Sequence, residues 1–207
     1  MGVTEMNKLD EMQLSVLTEI GNIGSGNAAT ALATLLNTFV DIEIPNIHLL
    51  DFEDVSQYLG GPDNFALGLT ITLEGDIQGM MLQIIQKEFA EKLINTFYEK
   101  EISTLHDITE MDLSVVREMG NITTAAYINS IAQMTSTFIN ITPPEDHIDT
   151  IGNILSIPSN KFTSLGKKVL FIDESFCISG TQIKGSMILI LEYSSMNTLF
   201  QKLGLPV

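Results

Sequence analysis

Two short constellations in this 207-residue chain carry residue types able to do chemistry: Ser15, Glu19 and Asn22, and then Ser114, Glu118 and Asn121. Both are spaced i, i+4 and i+7, so at about 100° per residue the three side chains keep to one side of a helix. A Glu and an Asn three residues apart are neighbours on that surface and can contact one target together. The carboxylate can grip a lysine or arginine, and the carboxamide can both donate to and accept from a water. Phosphoryl transfer suits such tools, because its catalysis is mostly positioning and charge stabilisation, and a water-orienting amide promotes attack on phosphorus. Magnesium ligands and a basic phosphate clamp are missing, so a hydrolase made from Glu and Asn alone needs a substrate that brings both. On one helix the plainer reading is a solvated polar face. Recurrence in the same register on a second helix weighs against it.

Other chemistries find less support. No Ser/His/Asp arrangement accompanies either group, and His48, His106 and His147 lack ligand spacing, so no metal or cofactor of its own is expected. Cys177 is the single cysteine and excludes a disulfide framework; its β-like surroundings, Ser175-Phe176-Cys177-Ile178, predict a buried, inert thiol. Gly21-Asn22-Ile23-Gly24-Ser25-Gly26 reverses the dinucleotide fingerprint, with no strand before it and no phosphate-binding lysine after. The 26 acidic against 10 basic side chains give a net charge of −16, which opposes nucleic acid and anionic membrane surfaces. No apolar stretch approaches the roughly 18 residues of a membrane span. The N-terminus has neither a basic nor an apolar leader region, so a cytoplasmic protein is expected.

The elements that must position these residues repeat. A shift of 99 lays Leu14-Ser15-Val16 on Leu113-Ser114-Val115, Glu19 on Glu118, Gly21-Asn22-Ile23 on Gly120-Asn121-Ile122, and Pro45 on Pro144. Residues 76–82 resemble 182–188 at a different shift, as a loop insertion would produce. The spacing predicts long helices over 9–37 and 110–138, the first burying Leu17, Ile20, Gly21, Gly24, Ala28, Ala31, Leu32 and Leu35. The second is expected to bury Val116, Met119, Gly120, Thr123, Tyr127, Ile131 and Met134. Strands are predicted at 40–50, 66–74, 77–86, 150–157, 168–177 and 182–192, with hairpin turns at Asp76 and Gly180-Thr181. Short helices follow at 87–97 and 195–203, the last stopped by Gly204 and Pro206. The expected fold is α+β: one domain over 1–207 with repeat halves of about 9–98 and 108–203. Those halves should share a continuous sheet about a pseudo-twofold axis, with the long helices on one face. Glycines at 21, 24, 26 and 120 each cost a helix about 1 kcal/mol relative to alanine. They imply that something, the sister helix or a partner, approaches the backbone closely.

Ser15-x3-Glu19-x2-Asn22-x22-Pro45 and Ser114-x3-Glu118-x2-Asn121-x22-Pro144 resemble the double signature of the CheC/CheX/FliY family of chemotaxis phosphatases. The stretch 19–31 is similar to that family's first helix, and Gly60-Gly61, Gly75-Asp76 and Leu199-Phe200-x3-Gly204 fit its CheC branch. The resemblance implies a protein phosphatase acting on phosphorylated CheY, which would bring the aspartyl phosphate, the Mg2+ and a lysine. Glu19 and Glu118 would engage that lysine, and Asn22 and Asn121 would orient the attacking water, with Ser15 and Ser114 at the same interface. The family also implies a second partner, CheD, placed here on an acidic loop around 146–153 with Asp149 as its contact. The second motif departs from the pattern, reading Gly-Asn-Ile-Thr-Thr-Ala-Ala where the first has glycines after Asn22. A non-catalytic adaptor for phospho-CheY or CheD, or a flagellar-switch component, are the alternatives. A monomer is expected, since the internal repeat already supplies the twofold of a homodimer.

Overall fold

The computed structural model describes residues 11–43, 45–165, 167–178 and 180–204. Among the described residues six α-helices and eight strands follow one another, beginning α1 (Glu11–Leu36), β1 (Val40–Ile42), β2 (Asn46–Asp51), α2 (Val55–Tyr58), β3 (Phe65–Gly75), β4 (Gly79–Ile85) and α3 (Lys87–Tyr98). The second half repeats that order with α4 (Glu110–Thr135), β5 (Ile139–Ile141), β6 (Glu145–Thr150), α5 (Ile151–Lys161), β7 (Lys168–Ile178), β8 (Thr181–Leu191) and α6 (Tyr193–Lys202). Both long helices are stopped by a residue in the left-handed region 99 positions apart, Asn37 (φ 48°) and Ser136 (φ 52°). Thr109 and Asp112 form a capping box that starts α4 five residues before Ser114.

All eight strands form one antiparallel sheet, ordered β1-β7-β8-β4-β3-β5, with β2 also on β7 and β6 also on β3. The halves therefore exchange strands. The first two strands of each half lie along the long hairpin of the other, and β4 pairs with β8 where the halves meet. Period-two alternation divides the side chains between the faces. Met81 and Ile85 of β4 and Leu170, Ile172 and Phe176 of β7 face α1, α3, α4 and α6. Leu82, Ile84, Val169 and Phe171 face α2 and α5 on the other side. Leu17 and Ile20 of α1 share a cluster with Tyr127 and Ile131 of α4. Ala28, Leu32 and Leu36 share another with Val115, Val116 and Met119, so the two long helices run antiparallel.

The expected continuous sheet, with the long helices on one face, is present. Several local expectations are corrected. Residues 150–157 form the start of α5 rather than a strand, because the Thr150 side chain accepts from the Asn153 amide and caps a helix. Residues 40–50 are two strands, interrupted before Pro45, which has no amide proton for the ladder. Ala31 and Leu35 are half-buried and Met134 is exposed, whereas Gln13, Ser25 and Leu36 are buried. Cys177 is half-buried rather than buried. The first two residues of the predicted helix at 9–37, and Pro206, lie outside the described residues.

Candidate functional site

The polar stripes survive folding intact. Ser15 and Glu19 on α1, and Ser114 and Glu118 on α4, are exposed, while Asn22 and Asn121 are half-buried one turn further along. Neither glutamate and neither asparagine side chain is tied to another described residue, so the groups able to meet a target are not spent internally. Asn22 Oδ1 is shielded from solvent and has no hydrogen-bond partner among the described residues, an arrangement that leaves a strong acceptor unsatisfied there. Ser114 donates to the Met111 carbonyl at 2.7 Å; Ser15 makes no such bond.

Glycines fix how the two helices sit. A Cβ on Gly24 would fall 2.7 Å from the Tyr127 ring, so here the sister helix is what approaches. One on Gly21 would meet Ile47 at 2.9 Å and Pro45 at 3.0 Å, which gives the proline at the end of the first motif its place: it packs under the turn carrying Asn22. Gly120 abuts Leu69 and lies near Gln83 of the sheet instead. Gly26 meets nothing within 4 Å and lies open beside the stripe.

The surroundings of the two pairs differ. Arg117, next to Glu118, is bound to Asp146 at 2.5 Å and Glu110 at 2.6 Å, tying α4 to β6; its counterpart on α1 is Thr18. Those hydrogen bonds to Glu110 and Asp146 raise the Arg117 pKa and hold it charged. Asp112, at the start of α4, is buried, which by itself would raise its carboxyl. Hydrogen bonds from Lys100 and from Thr109 outweigh that and hold it below the usual carboxylate range. Sequence reasoning did not single out Arg117, Asp146 or Asp112; only the capping signal Thr109-x2-Asp112 was there to be found.

Asp149 lies at the end of edge strand β6 rather than in a loop. Its carboxylate accepts from the Thr150 amide at 2.6 Å and from the Asn153 side chain at 2.9 Å, and these bonds lower its pKa. The side chain is thus occupied at the start of α5, and Asp146 in the same segment is occupied by Arg117. The three histidines stay apart from both pairs: His48 lies against Tyr58, His106 against Phe65, and His147 meets Thr70 at 3.1 Å. No helix among the described residues is long and apolar enough to cross a membrane.

Comparison with known proteins places this arrangement. The model of the CheC-like family matches residues 12–49 and again 111–147, which are the two helices with the strands that follow them. The CheY-P phosphatase CheC of Bacillus subtilis (strain 168) is 31% identical over 202 residues, covering 96% of this chain and 97% of that protein. Among solved structures, Thermotoga maritima FliY superposes with a TM-score of 0.73 at 19% identity, over 95% of this chain and 98% of the other. The FliM middle domain from H. pylori gives 0.68 at 11%, over 94% and 99%. At those identities the two structures speak to the fold alone.

Proposed function

We propose, from the premise that this chain belongs to the CheC-like family, that it accelerates hydrolysis of the aspartyl phosphate on phosphorylated CheY. The observation that carries the reading is the repeated Glu/Asn pair: exposed Glu19 with half-buried Asn22, and exposed Glu118 with half-buried Asn121, on the outer side of two helices, their side chains bonded to nothing else among the described residues. On docking, each glutamate engages a lysine of the regulator. The asparagine amide enters the regulator's site and holds a water in line with the phosphorus. The water's oxygen forms the new bond to phosphorus, the bond from phosphorus to the aspartyl oxygen breaks, and inorganic phosphate leaves. No covalent intermediate forms on this chain, and the Mg2+ that neutralises the phosphoryl charge belongs to the regulator.

CheD is proposed as a second partner, with Asp149 at the contact. Its free oxygen lone pairs remain available beyond the two bonds to Thr150 and Asn153. Asp149→Lys should lower CheD affinity without changing phosphatase activity measured in the absence of CheD.

The deciding measurement is the decay of phospho-CheY with this protein at substoichiometric concentration. Turnover is expected. Asn22→Ala with Asn121→Ala should return decay to the regulator's own rate while circular dichroism stays native, and each single substitution should leave one site working. Tight binding without faster decay would instead make the protein a sequestering module.

A further inference from the structure

The turns that carry the two asparagines rest on the sheet in different ways. Gln83 of β4 is 4% exposed and reaches α4. Its Nε2 lies 2.9 Å from the Gly120 carbonyl, 2.9 Å from the Thr123 hydroxyl and 2.8 Å from the Thr124 hydroxyl. A carbonyl can only accept, so the nitrogen of the Gln83 amide is the atom that must face the helix. The Gly120 carbonyl belongs to the same planar peptide unit as the Asn121 nitrogen. The bond from the sheet therefore ends one peptide unit from the residue proposed to hold the attacking water. Gly120 makes this reach possible: a Cβ there would collide with Leu69, so only a glycine lets the backbone come down to the sheet.

The other half lacks this anchor. The correspondence of residues 76–82 with 182–188, carried one residue further, sets Gln83 against Leu189. The sheet keeps that symmetry, since Gln83 pairs with Met187 where Met81 pairs with Leu189. Leu189 is buried and has nothing to donate. Together with Leu17, Ile20, Gly21 and Tyr127 it lines a small apolar gap beneath α1. The 99-residue shift also puts Gly24 and Ser25 where α4 has Thr123 and Thr124, so one of the acceptor hydroxyls is missing as well as the donor. The Ser25 hydroxyl does bond to the Asn22 carbonyl, at 3.1 Å, but it comes from the same helix and ties nothing to the sheet.

We infer that Gln83 is a positioning residue for Asn121: it ties the Asn121 turn to the sheet and so presets the direction of the carboxamide, a tie that Asn22 lacks among the described residues. The inference rests on the phosphatase reading for its kinetic readout only. A buried carboxamide is costly unless its protons find acceptors. The three acceptors sit on one turn of α4, so they stay in reach only while the helix keeps its height and its rotation over β4. Turning α4 about its axis, which would swing Asn121 off its line, breaks at least one of these bonds. The packing beneath Asn22 is non-directional and resists the same rotation less. Holding a water in line for attack is an orientational demand, so the tie acts on turnover rather than on binding.

Gln83→Met keeps the length of the side chain and removes its donor. Phospho-CheY decay is measured with this change in Asn22→Ala, where only the Asn121 site works, and in Asn121→Ala, where only the Asn22 site does. In the first background kcat should fall about tenfold at unchanged KM, the scale of one lost buried hydrogen bond. In the second both constants should stay as they were. A merely structural role would weaken both sites together or leave kcat alone, and either result overturns the inference. Independently of activity, NMR relaxation of the full-length chain should show added motion of the Asn121 side-chain amide in Gln83→Met and none at Asn22. If Gln83→Met does not fold, Gln83→Leu, which copies the residue at this place in the other half, takes its part. In the native chain the Gln83 side-chain protons should exchange with solvent slowly, and exchange at the rate of a free carboxamide overturns the inference by itself. In a chain that does not accelerate decay, motion added at Asn121 alone upholds the positioning and discards the phosphatase reading, while no added motion discards the positioning.

Discussion

Glu174 shows how a residue's type and its position can oppose one another. A carboxyl placed 2% exposed in the sheet, with its pKa raised from 4.5 to about 7, binds a proton more tightly in the folded chain than in the unfolded one. Its contribution to stability is fully present below about pH 4.5 and is lost as pH rises through 7; above that the carboxyl is ionised in both states. Glu174→Gln should therefore be more stable than the native chain at about pH 8, by up to about 3 kcal/mol, with the difference shrinking toward zero near pH 5. Urea denaturation of the pair at the two pH values checks this; equal midpoints at both would show that the buried acid carries no cost. Tyr127 is held from two sides, by Gly24 at its ring and Glu174 at its hydroxyl. Its removal therefore opens a cavity and strands a buried carboxylate together.

Helix α1 concentrates three glycines in six residues, and the structure gives them unequal work. Gly24 admits the Tyr127 ring, so Gly24→Ala trades about 1 kcal/mol of helix propensity for a clash, and a net loss of about 1–2 kcal/mol is expected. Gly26 touches nothing within 4 Å, so Gly26→Ala should raise stability by about 1 kcal/mol. Thermal unfolding of the two variants measures both signs. If the more stable Gly26→Ala protein also dephosphorylates phospho-CheY more slowly, the open glycine is where the partner's backbone comes close; unchanged activity would remove that requirement. Helix α4 has no glycine at the matching positions, Thr123 and Ala125, and its anchor is the Gln83 side chain reaching up from the sheet.

Across the whole molecule, the exchange of strands makes each half incomplete. Without the second half, β1 and β2 lose β7, β4 loses β8, and β3 loses β5 and β6, leaving long unpaired edges on an apolar sheet. A fragment spanning residues 1–103 is expected to be either unfolded or a dimer that restores the twofold with a second copy. Light scattering with circular dichroism would read this directly, and a folded monomer would contradict the interdependence of the halves. The same exchange places α1 and α4 side by side on one face, so the two Glu/Asn stripes lie on neighbouring helices in an arrangement that a single run of chain could not make.

Local spacing was enough to specify the long helices, the hairpins and both Glu/Asn stripes, because a 3.6-residue period and a turn glycine act within a few residues. The helix at Ile151–Lys161 was missed because Ile151, Ile154 and Leu155 read as a strand until Thr150 is seen to cap them. The strand partners were also closed to a local reading: nothing within 40–50 says that it pairs with 168–178 rather than with its own hairpin. The sequence by itself determined which side chains form the Glu/Asn stripes and that there would be two sets. Only the tertiary structure decided what holds each set in place. The inner-side bonds, Tyr127 to Glu174 and Gln83 to Thr123 and Thr124, span 40 to 47 residues of chain, and burial rather than spacing makes them obligatory.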